Sequence, residues 1–175
     1  MQKKALYLSG GGARGAYQAG VLKAIGRILQ VKTLPFSSIT GVSVGSVNAA
    51  ILAENADDFP AALDKLESVW SELQSEHIYK ASNYELSKSV LRNLSTFVAK
   101  KHQAGYLLDT SALKEFLSEL IVFANIEKNI AAGFLESFEV IASCYETRQT
   151  VSFLSNNQPN FEDWNYPRHI SQGTV

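Results

Sequence analysis

The chain has 175 residues, of which 46% are hydrophobic and 19% are charged, and its net charge is -1. This length suits one domain with a substantial core, and the charge balance excludes a strongly basic nucleic-acid-binding protein. Cys144 is the single cysteine, so no internal disulfide can form, and no Cys/His spacing is typical of a zinc site. We therefore expect a protein of a reducing compartment that uses no metal or other cofactor.

The N-terminus favours a first strand over a targeting signal. Lys3 and Lys4 precede an apolar run of only four residues, Ala5 to Leu8, before glycines interrupt it. No stretch approaches the roughly 20 apolar residues of a membrane-spanning helix. The default location is therefore cytoplasmic, and export by a route without a cleaved signal stays open.

Apolar periodicity predicts alternating strands and helices. In chain order these are a strand at 5–8, a helix at about 15–30, a strand at 36–40, helices at 44–53, 60–74, 86–98, 109–121 and 126–134, and strands at 138–145 and 150–154. The order predicts a three-layer α/β/α fold with a mainly parallel central sheet. Residues 156–175 show no period and are expected to form an irregular tail.

Ser43 lies in Gly41-Val42-Ser43-Val44-Gly45, between a predicted strand and an alanine-rich helix. A turn sharp enough to present a serine at its apex forces a strained backbone and leaves no room for Cβ atoms two residues to either side. Glycines at both flanking positions meet that need. The pattern predicts Ser43 as a nucleophile.

A glycine-rich loop, Ser9-Gly10-Gly11-Gly12-Ala13-Arg14-Gly15, also follows a strand and precedes a helix. Successive backbone N–H groups beside a helix N-terminus form a site for an oxyanion. The same letters satisfy the dinucleotide fingerprint, which is a second interpretation. That fingerprint expects an acidic residue about 20 positions on, whereas residues 15–52 contain no Asp or Glu.

The glycine motifs do not identify the general base that the serine needs. Serine hydrolases with a triad use a histidine located after the serine, and the candidates are His77, His102 and His169. Each lies in a stretch typical of a surface histidine. No histidine is therefore assigned as the base.

The two glycine motifs together resemble the patatin-like phospholipase family. Gly15 to Leu22 is similar to the family's first helix, and Leu107-Leu108-Asp109-Thr110-Ser111 resembles its LxDTSPL segment, with Ala112 in place of the proline. The strand that ends at Tyr145-Glu146-Thr147 is similar to a further family strand. The resemblance runs over most of the chain.

This resemblance implies a Ser–Asp dyad, in which Ser43 attacks a lipid ester and an aspartate of an Asp-Gly-Gly or Asp-Gly-Ala motif is the base. Gly10, Gly11, Gly12, Arg14 and Gly15 match the family's oxyanion motif. The chain has no Asp-Gly dipeptide; its aspartates are Asp57, Asp58, Asp64, Asp109 and Asp163. We therefore expect residues 1–175 to be the N-terminal portion of one patatin-like domain, with the catalytic aspartate beyond Val175.

Two consequences follow for activity and partners. Without its base, residues 1–175 are expected to hydrolyse esters poorly or not at all, and a non-catalytic patatin-like binding module is the alternative. The substrate is expected to be a phospholipid or another lipid ester, with transient contact to a membrane surface and no nucleic acid. Lys88, Arg92, Lys100 and Lys101 lie on one predicted helical segment that could suit an anionic membrane, but an amphipathic helix that covers the sheet with its lysines in water is the favoured interpretation. The oligomeric state is left open.

Overall fold

The computed structural model describes residues 3–78, 117–144, 147–157 and 169–171. Within these residues the strands are β1 (Ala5–Leu8), β2 (Ser38–Val42), β3 (Ser137–Cys144), β4 (Gln149–Asn156) and β5 (His169–Ser171). The helices are α1 (Arg14–Leu29), α2 (Val44–Glu54), α3 (Phe59–Ile78) and α4 (Phe123–Ala131), and residues 117–120 are also helical.

The strands form one sheet in the order β1-β2-β3-β4-β5. The β1–β2, β2–β3 and β4–β5 pairs are parallel, and the β3–β4 pair is antiparallel. The predicted α/β class with a mainly parallel sheet is confirmed, and the strands predicted at 138–145 and 150–154 pair with each other as antiparallel neighbours. Within the stretch predicted to be irregular, however, residues 169–171 form β5, because β4 offers an edge whose backbone groups pair with even a short polar segment.

Helix α2 is the centre of the described fold. It packs on β1, β2 and β3 and also contacts α1, α3 and α4. Every residue from Asn48 to Glu54 is buried, and most are small or apolar. A helix that is apolar on all sides is expected to be enclosed in this way.

Polar contacts fix the far end of α2. The buried carboxylate of Glu54 accepts hydrogen bonds from Lys65 Nζ at 2.6 Å and from the Val122 amide at 3.2 Å. The side-chain amide of Asn129 donates to the carbonyl oxygens of Ala53 at 3.0 Å and of Glu54 at 2.8 Å. Because these groups come from α3, from the segment before α4 and from α4, they set the axis of the helix that begins beside Ser43.

Some predicted elements lie outside the described residues. These are the helix at 86–98, with Lys88, Arg92, Lys100 and Lys101, and most of the helix at 109–121. Among the described helices, none is both long enough and apolar enough to cross a membrane.

Candidate active site

The two glycine motifs meet at one edge of the sheet. Strands β1 and β2 are parallel, and Leu8 pairs with Gly41, so the loop after β1 and the turn after β2 leave the sheet side by side. A Cβ placed on Gly10 would lie 3.3 Å from the Cβ of Ser43. The structure thus brings the predicted nucleophile and the predicted oxyanion loop into contact.

Ser43 has the backbone of a nucleophile elbow. Its φ is 54° and its ψ is -128°, a conformation that costs a non-glycine residue about 1–3 kcal/mol. The residue is exposed and precedes the first residue of α2, yet its hydroxyl makes no capping hydrogen bond to the helix. The hydroxyl is therefore presented outward from a fixed, strained turn.

The flanking glycines are required by close backbone contacts. A Cβ on Gly41 would lie 2.5 Å from the Cα of Ser46 and 2.7 Å from the Gly45 carbonyl oxygen. A Cβ on Gly45 would lie 2.1 Å from the carbonyl oxygen of Leu8. Gly45 therefore lets the end of β1 rest on the elbow, which places the glycine loop over Ser43.

The glycine loop has backbone amides without an acceptor among the described residues, and those of Gly11 and Gly12 are among them. Gly11 has φ 153° and Gly12 has φ 55°. The Arg14 and Gly15 amides donate to the carbonyl oxygens of Gly11 (3.2 Å) and Gly12 (3.0 Å), whereas the Gly11 and Gly12 amides have no acceptor in the part of the chain that the structure describes. These two amides are the candidate oxyanion donors of the loop.

Val44 adds a donor that the sequence interpretation did not name. As the first residue of α2, it has an N–H group without an intrahelical acceptor, and it directly follows Ser43. In nucleophile elbows the amide of the residue after the nucleophile faces the oxyanion. The signal was present in the motif, since the position is defined by its offset from the serine.

Arg14 and Gly15 shape the loop. The Cβ, Cγ and Cδ atoms of Arg14 lie so close to Gly11 that a Cβ there would meet them at 3.1 to 3.5 Å. A Cβ on Gly15 would lie 2.2 Å from Cζ2 of the Trp70 indole. Arg14 therefore covers the glycine turn, while Gly15 leaves room for a tryptophan from α3.

A hydrogen-bond network around Asn48 links the elbow helix to the loop. The Trp70 indole N–H donates to Asn48 Oδ1 at 2.9 Å, and Asn48 Nδ2 donates to the Gly15 carbonyl oxygen and to Gln18 Oε1, both at 3.1 Å. Gln18 Nε2 in turn donates to the Ser9 carbonyl oxygen at 2.8 Å. These contacts tie α1, α2 and α3 together beneath the glycine loop.

Sequence reasoning missed this network. Asn48 is a fully buried amide within an apolar helix, and a buried polar side chain is informative because it needs partners. The sequence shows the asparagine among alanines. It does not show which groups from α1 and α3 reach it.

None of the described aspartates is placed as a base for Ser43. Asp57 and Asp58 follow the far end of α2, which at 11 residues is about 16 Å long. Asp58 caps α3 by accepting from the Ala61 amide at 3.1 Å. Asp64 is exposed on α3, and Asp109 and Asp163 lie outside the described residues.

The histidines are not brought to Ser43 by the described part of the fold. His169 begins β5, three strand spacings or about 14 Å across the sheet from β2. His102 lies outside the described residues, and only the backbone of His77 is described. In the portion of the chain that the structure describes, no three His, Cys, Asp or Glu side chains are grouped as metal ligands would be.

A groove of about 440 Å³ lies elsewhere, between the C-terminal part of α1 and the start of α3. Its lining includes Arg27, Phe59 and Leu63. None of its lining residues belongs to the elbow or to the glycine loop.

Fold and site together define an α/β protein that presents a serine on a nucleophile elbow beside a glycine-rich loop. A family model described as patatin-like phospholipase matches residues 6–173. The chain belongs to this family. The dinucleotide-binding interpretation of the glycine loop is therefore not retained.

One curated relative shares a short segment with this chain. The lysophospholipase nte1 of Aspergillus terreus (strain NIH 2624 / FGSC A1156) is 46% identical over 55 residues, which are 31% of this chain and 3% of that protein. No solved structure matches the chain. The chain therefore spans only a small part of the length of this relative.

Proposed function

We propose that Ser43 and the loop from Gly10 to Gly15 are the nucleophile and the oxyanion site of a serine acyl hydrolase for phospholipids or lysophospholipids. The observation that carries the proposal is the contact between the two motifs, in which Gly10 lies against Ser43. The substrate class rests on the family and on the printed name of the fungal relative.

The chemistry divides into two acyl transfers. Ser43 Oγ attacks the ester carbonyl carbon as its proton passes to a base, and the carbonyl oxygen becomes an oxyanion held by the amides of Gly11, Gly12 and Val44. The C–O bond to the alcohol then breaks, and the alcohol leaves with the proton. Water attacks the acyl-serine in the second transfer and releases the fatty acid and the free serine.

Among the described residues, the proposed oxyanion donors are the groups expected to stabilise the transition state most. Removal of one such donor typically costs about 2.7–4 kcal/mol of transition-state stabilisation. Backbone amides held by the Arg14 and Gly15 turn need little reorganisation during the reaction. The geometry is therefore suited to a tetrahedral intermediate.

We assign the base to an aspartate, as the resemblance to the family implies, and place it outside the described residues. A positioned base typically contributes about 10²–10⁴ in rate. Transient contact with a lipid surface belongs to the same proposal, since the substrate resides there. The chain without such an aspartate is expected to react slowly.

A fluorophosphonate probe tests the nucleophile. The chain should be labelled at Ser43, and Ser43→Ala should abolish labelling. Ser46→Ala is the matched control, because Ser46 is three residues away and its buried hydroxyl has no hydrogen-bond partner among the described residues; this variant should label like the parent chain. Labelling that survives Ser43→Ala, or no labelling of the parent chain, would refute the assignment.

Hydrolysis of a short-chain p-nitrophenyl ester and of lysophosphatidylcholine tests the base. Little or no turnover is expected from this chain, with slow labelling of Ser43. High turnover abolished by Asp163→Asn or by Asp109→Asn would place the base within residues 1–175. Lipid binding together with the absence of both labelling and turnover would favour the binding module.

A further inference from the structure

Helix α1 has a second apolar face, opposite to the one that packs in the core. Gly15, Ala19 and Leu22 are buried, whereas the side chains of Tyr17, Val21 and Ile28 are 77%, 41% and 79% exposed. At about 100° per residue these three exposed side chains lie within about 40° of one another around the helix. We call them, with Gly20 and Ala24 between them, the α1 stripe.

Nothing in the described part of the chain covers the α1 stripe. A Cβ on Gly20 would meet no atom within 4 Å, so the middle of the stripe faces open space. Single exposed apolar residues are common on protein surfaces, but a continuous apolar run indicates a surface that contacts something. We therefore expect the α1 stripe to contact another molecule or surface.

Charge around the stripe favours an anionic occupant. Residues 1–53 contain six lysines and arginines and no Asp or Glu. Arg14 and Arg27 are exposed and flank the stripe on opposite sides, at about 60° and 80° from Tyr17 around the helix. Lys23, the third basic residue of α1, is paired with Glu67 of α3.

The stripe begins at the candidate active site. Tyr17 follows Gly15 by two residues and Arg14 by three, and Arg14 packs over Gly11 of the oxyanion loop. The N-terminal end of the stripe therefore lies within a few residues of the glycine loop that contacts Ser43. A basic helix with one apolar face is typical of a segment that lies in a membrane interface.

We infer that the α1 stripe docks on the surface of an anionic bilayer and holds the Ser43 site against it. The choice of a lipid occupant over a protein one rests on the proposed function. Tyr17, Val21 and Ile28 enter the boundary between headgroups and acyl chains, while Arg14 and Arg27 contact lipid phosphates. The substrate ester then lies at the depth of the elbow without leaving the interface.

Co-sedimentation of the whole chain with vesicles tests the inference without any requirement for hydrolysis. Vesicles of equal parts phosphatidylcholine and phosphatidylglycerol should bind the chain at least about tenfold more tightly than pure phosphatidylcholine vesicles. The double variant Tyr17→Gln/Ile28→Gln should lose about tenfold or more in affinity for the mixed vesicles. Tyr7→Gln is the matched control, since Tyr7 is 63% exposed but lies on β1, and it should bind like the parent chain.

A gain-of-affinity variant guards against misfolding as the explanation. Gly20→Leu fills the open middle of the stripe and should bind the mixed vesicles several-fold more tightly. The inference is overturned if the parent chain does not sediment with anionic vesicles, if the double variant binds like the parent, or if Tyr7→Gln binds as weakly as the double variant. It is also overturned if sedimentation velocity shows a dimer that the double variant abolishes, because the stripe is then a contact between copies.

The outcomes separate this inference from the proposed function. Vesicle binding by a chain whose Ser43 is not labelled by the fluorophosphonate supports the docking surface and refutes the nucleophile. Labelling at Ser43 without vesicle binding supports the nucleophile and refutes the docking surface.

Discussion

Ser43 shows how much of the site resides in the backbone of single residues. Its φ of 54° and ψ of -128° belong to the turn between β2 and α2, and this turn leaves the hydroxyl of the proposed nucleophile exposed. The structure around it, from the core of α2 to the paired ends of β1 and β2, keeps the residue in this conformation.

The backbone strain at Ser43 arises from its Cβ atom. We therefore expect Ser43→Gly, which removes Cβ, to relieve the strain, whereas Ser43→Ala, which keeps Cβ, should not. Ser43→Gly should raise the free energy of unfolding by about 1 kcal/mol relative to Ser43→Ala, because relief of strain exceeds the added entropy of glycine in the unfolded state. Urea denaturation of the two variants measures this difference. Equal stability would mean that Ser43 is not strained.

The elbow glycines predict a sharp contrast between two identical substitutions. Gly45→Ala places a Cβ 2.1 Å from the Leu8 carbonyl oxygen, and we expect it to lower the free energy of unfolding by about 3 kcal/mol. Gly20→Ala, which meets no atom within 4 Å, should raise it by about 1 kcal/mol through helix propensity. Thermal or urea melts measure both, and a mild effect at Gly45 would contradict the close approach of β1.

Helix α2 is held in place by side-chain hydrogen bonds in its N-terminal half and at its C-terminal end. Asn48 holds its N-terminal half to α1 and α3, and Asn129 holds its C-terminal end through the Ala53 and Glu54 carbonyl oxygens. Both side chains are buried. Of the two, only Asn48 hydrogen-bonds to the glycine loop, through the Gly15 carbonyl oxygen.

This arrangement predicts that equal losses of stability have unequal effects on the site. Asn48→Leu and Asn129→Leu each leave buried polar groups without partners and should each cost about 2 kcal/mol in free energy of unfolding. Labelling of Ser43 by the fluorophosphonate should slow about tenfold only in Asn48→Leu, because the glycine loop loses its support from Gln18 and Gly15. Labelling that slows equally in both variants would show that Asn48 acts through stability alone.

A charged contact between α1 and α3 predicts a pKa shift. The hydrogen bond from Lys23, then the positive charge of Lys23 and that of Arg27, lower the pKa of the exposed Glu67 carboxyl. The stability from this pair is present above the unfolded-state pKa and is lost as the pH falls through the folded-state pKa. Exposure to solvent keeps that contribution small.

Side-chain NMR titration checks this shift directly. Lys23→Gln should raise the pKa of Glu67 toward its ordinary value. Lys3→Gln is the matched control, since Lys3 pairs with Glu136 at 2.9 Å instead, and it should leave the Glu67 titration unchanged. If Lys23→Gln left the pKa of Glu67 unchanged, the result would show that Lys23 and Glu67 do not form this contact in solution.

The sequence predicts the parts of the fold and site that depend on local pattern. Helix α1 and the elbow at Ser43 could be placed because apolar spacing and the Gly-x-Ser-x-Gly letters act over a few residues. The Asn48 contacts with Trp70 and Gln18 could not, because those groups lie 22 and 30 residues away in the chain and meet only after α1 and α3 pack on α2. Strand β5 was missed because three residues carry too little periodicity.

At the scale of the whole molecule, charge is segregated along the chain. The six basic residues of the first 53 have no acidic neighbours in that stretch, although the net charge of the chain is only -1. In the fold, Lys3 and Lys23 are paired with Glu136 and Glu67. The excess positive charge of the N-terminal part therefore comes from the other four residues, which include Arg14 beside the glycine loop and Arg27 on α1. An approaching anionic surface meets that local field and not the average one.

This segregation predicts the salt dependence of membrane binding. Raising the ionic strength from ~0.1 M to ~1 M shortens the Debye length from ~10 Å to ~3 Å, so affinity for mixed anionic vesicles should fall about tenfold, since each Lys or Arg near the surface contributes about 1 kcal/mol. The residual affinity should come from apolar insertion, which salt does not screen, and Tyr17→Gln/Ile28→Gln should remove it. Arg27→Gln should flatten the salt dependence while keeping the residual. Binding that is independent of salt would mean that the basic N-terminal part does not face the bilayer.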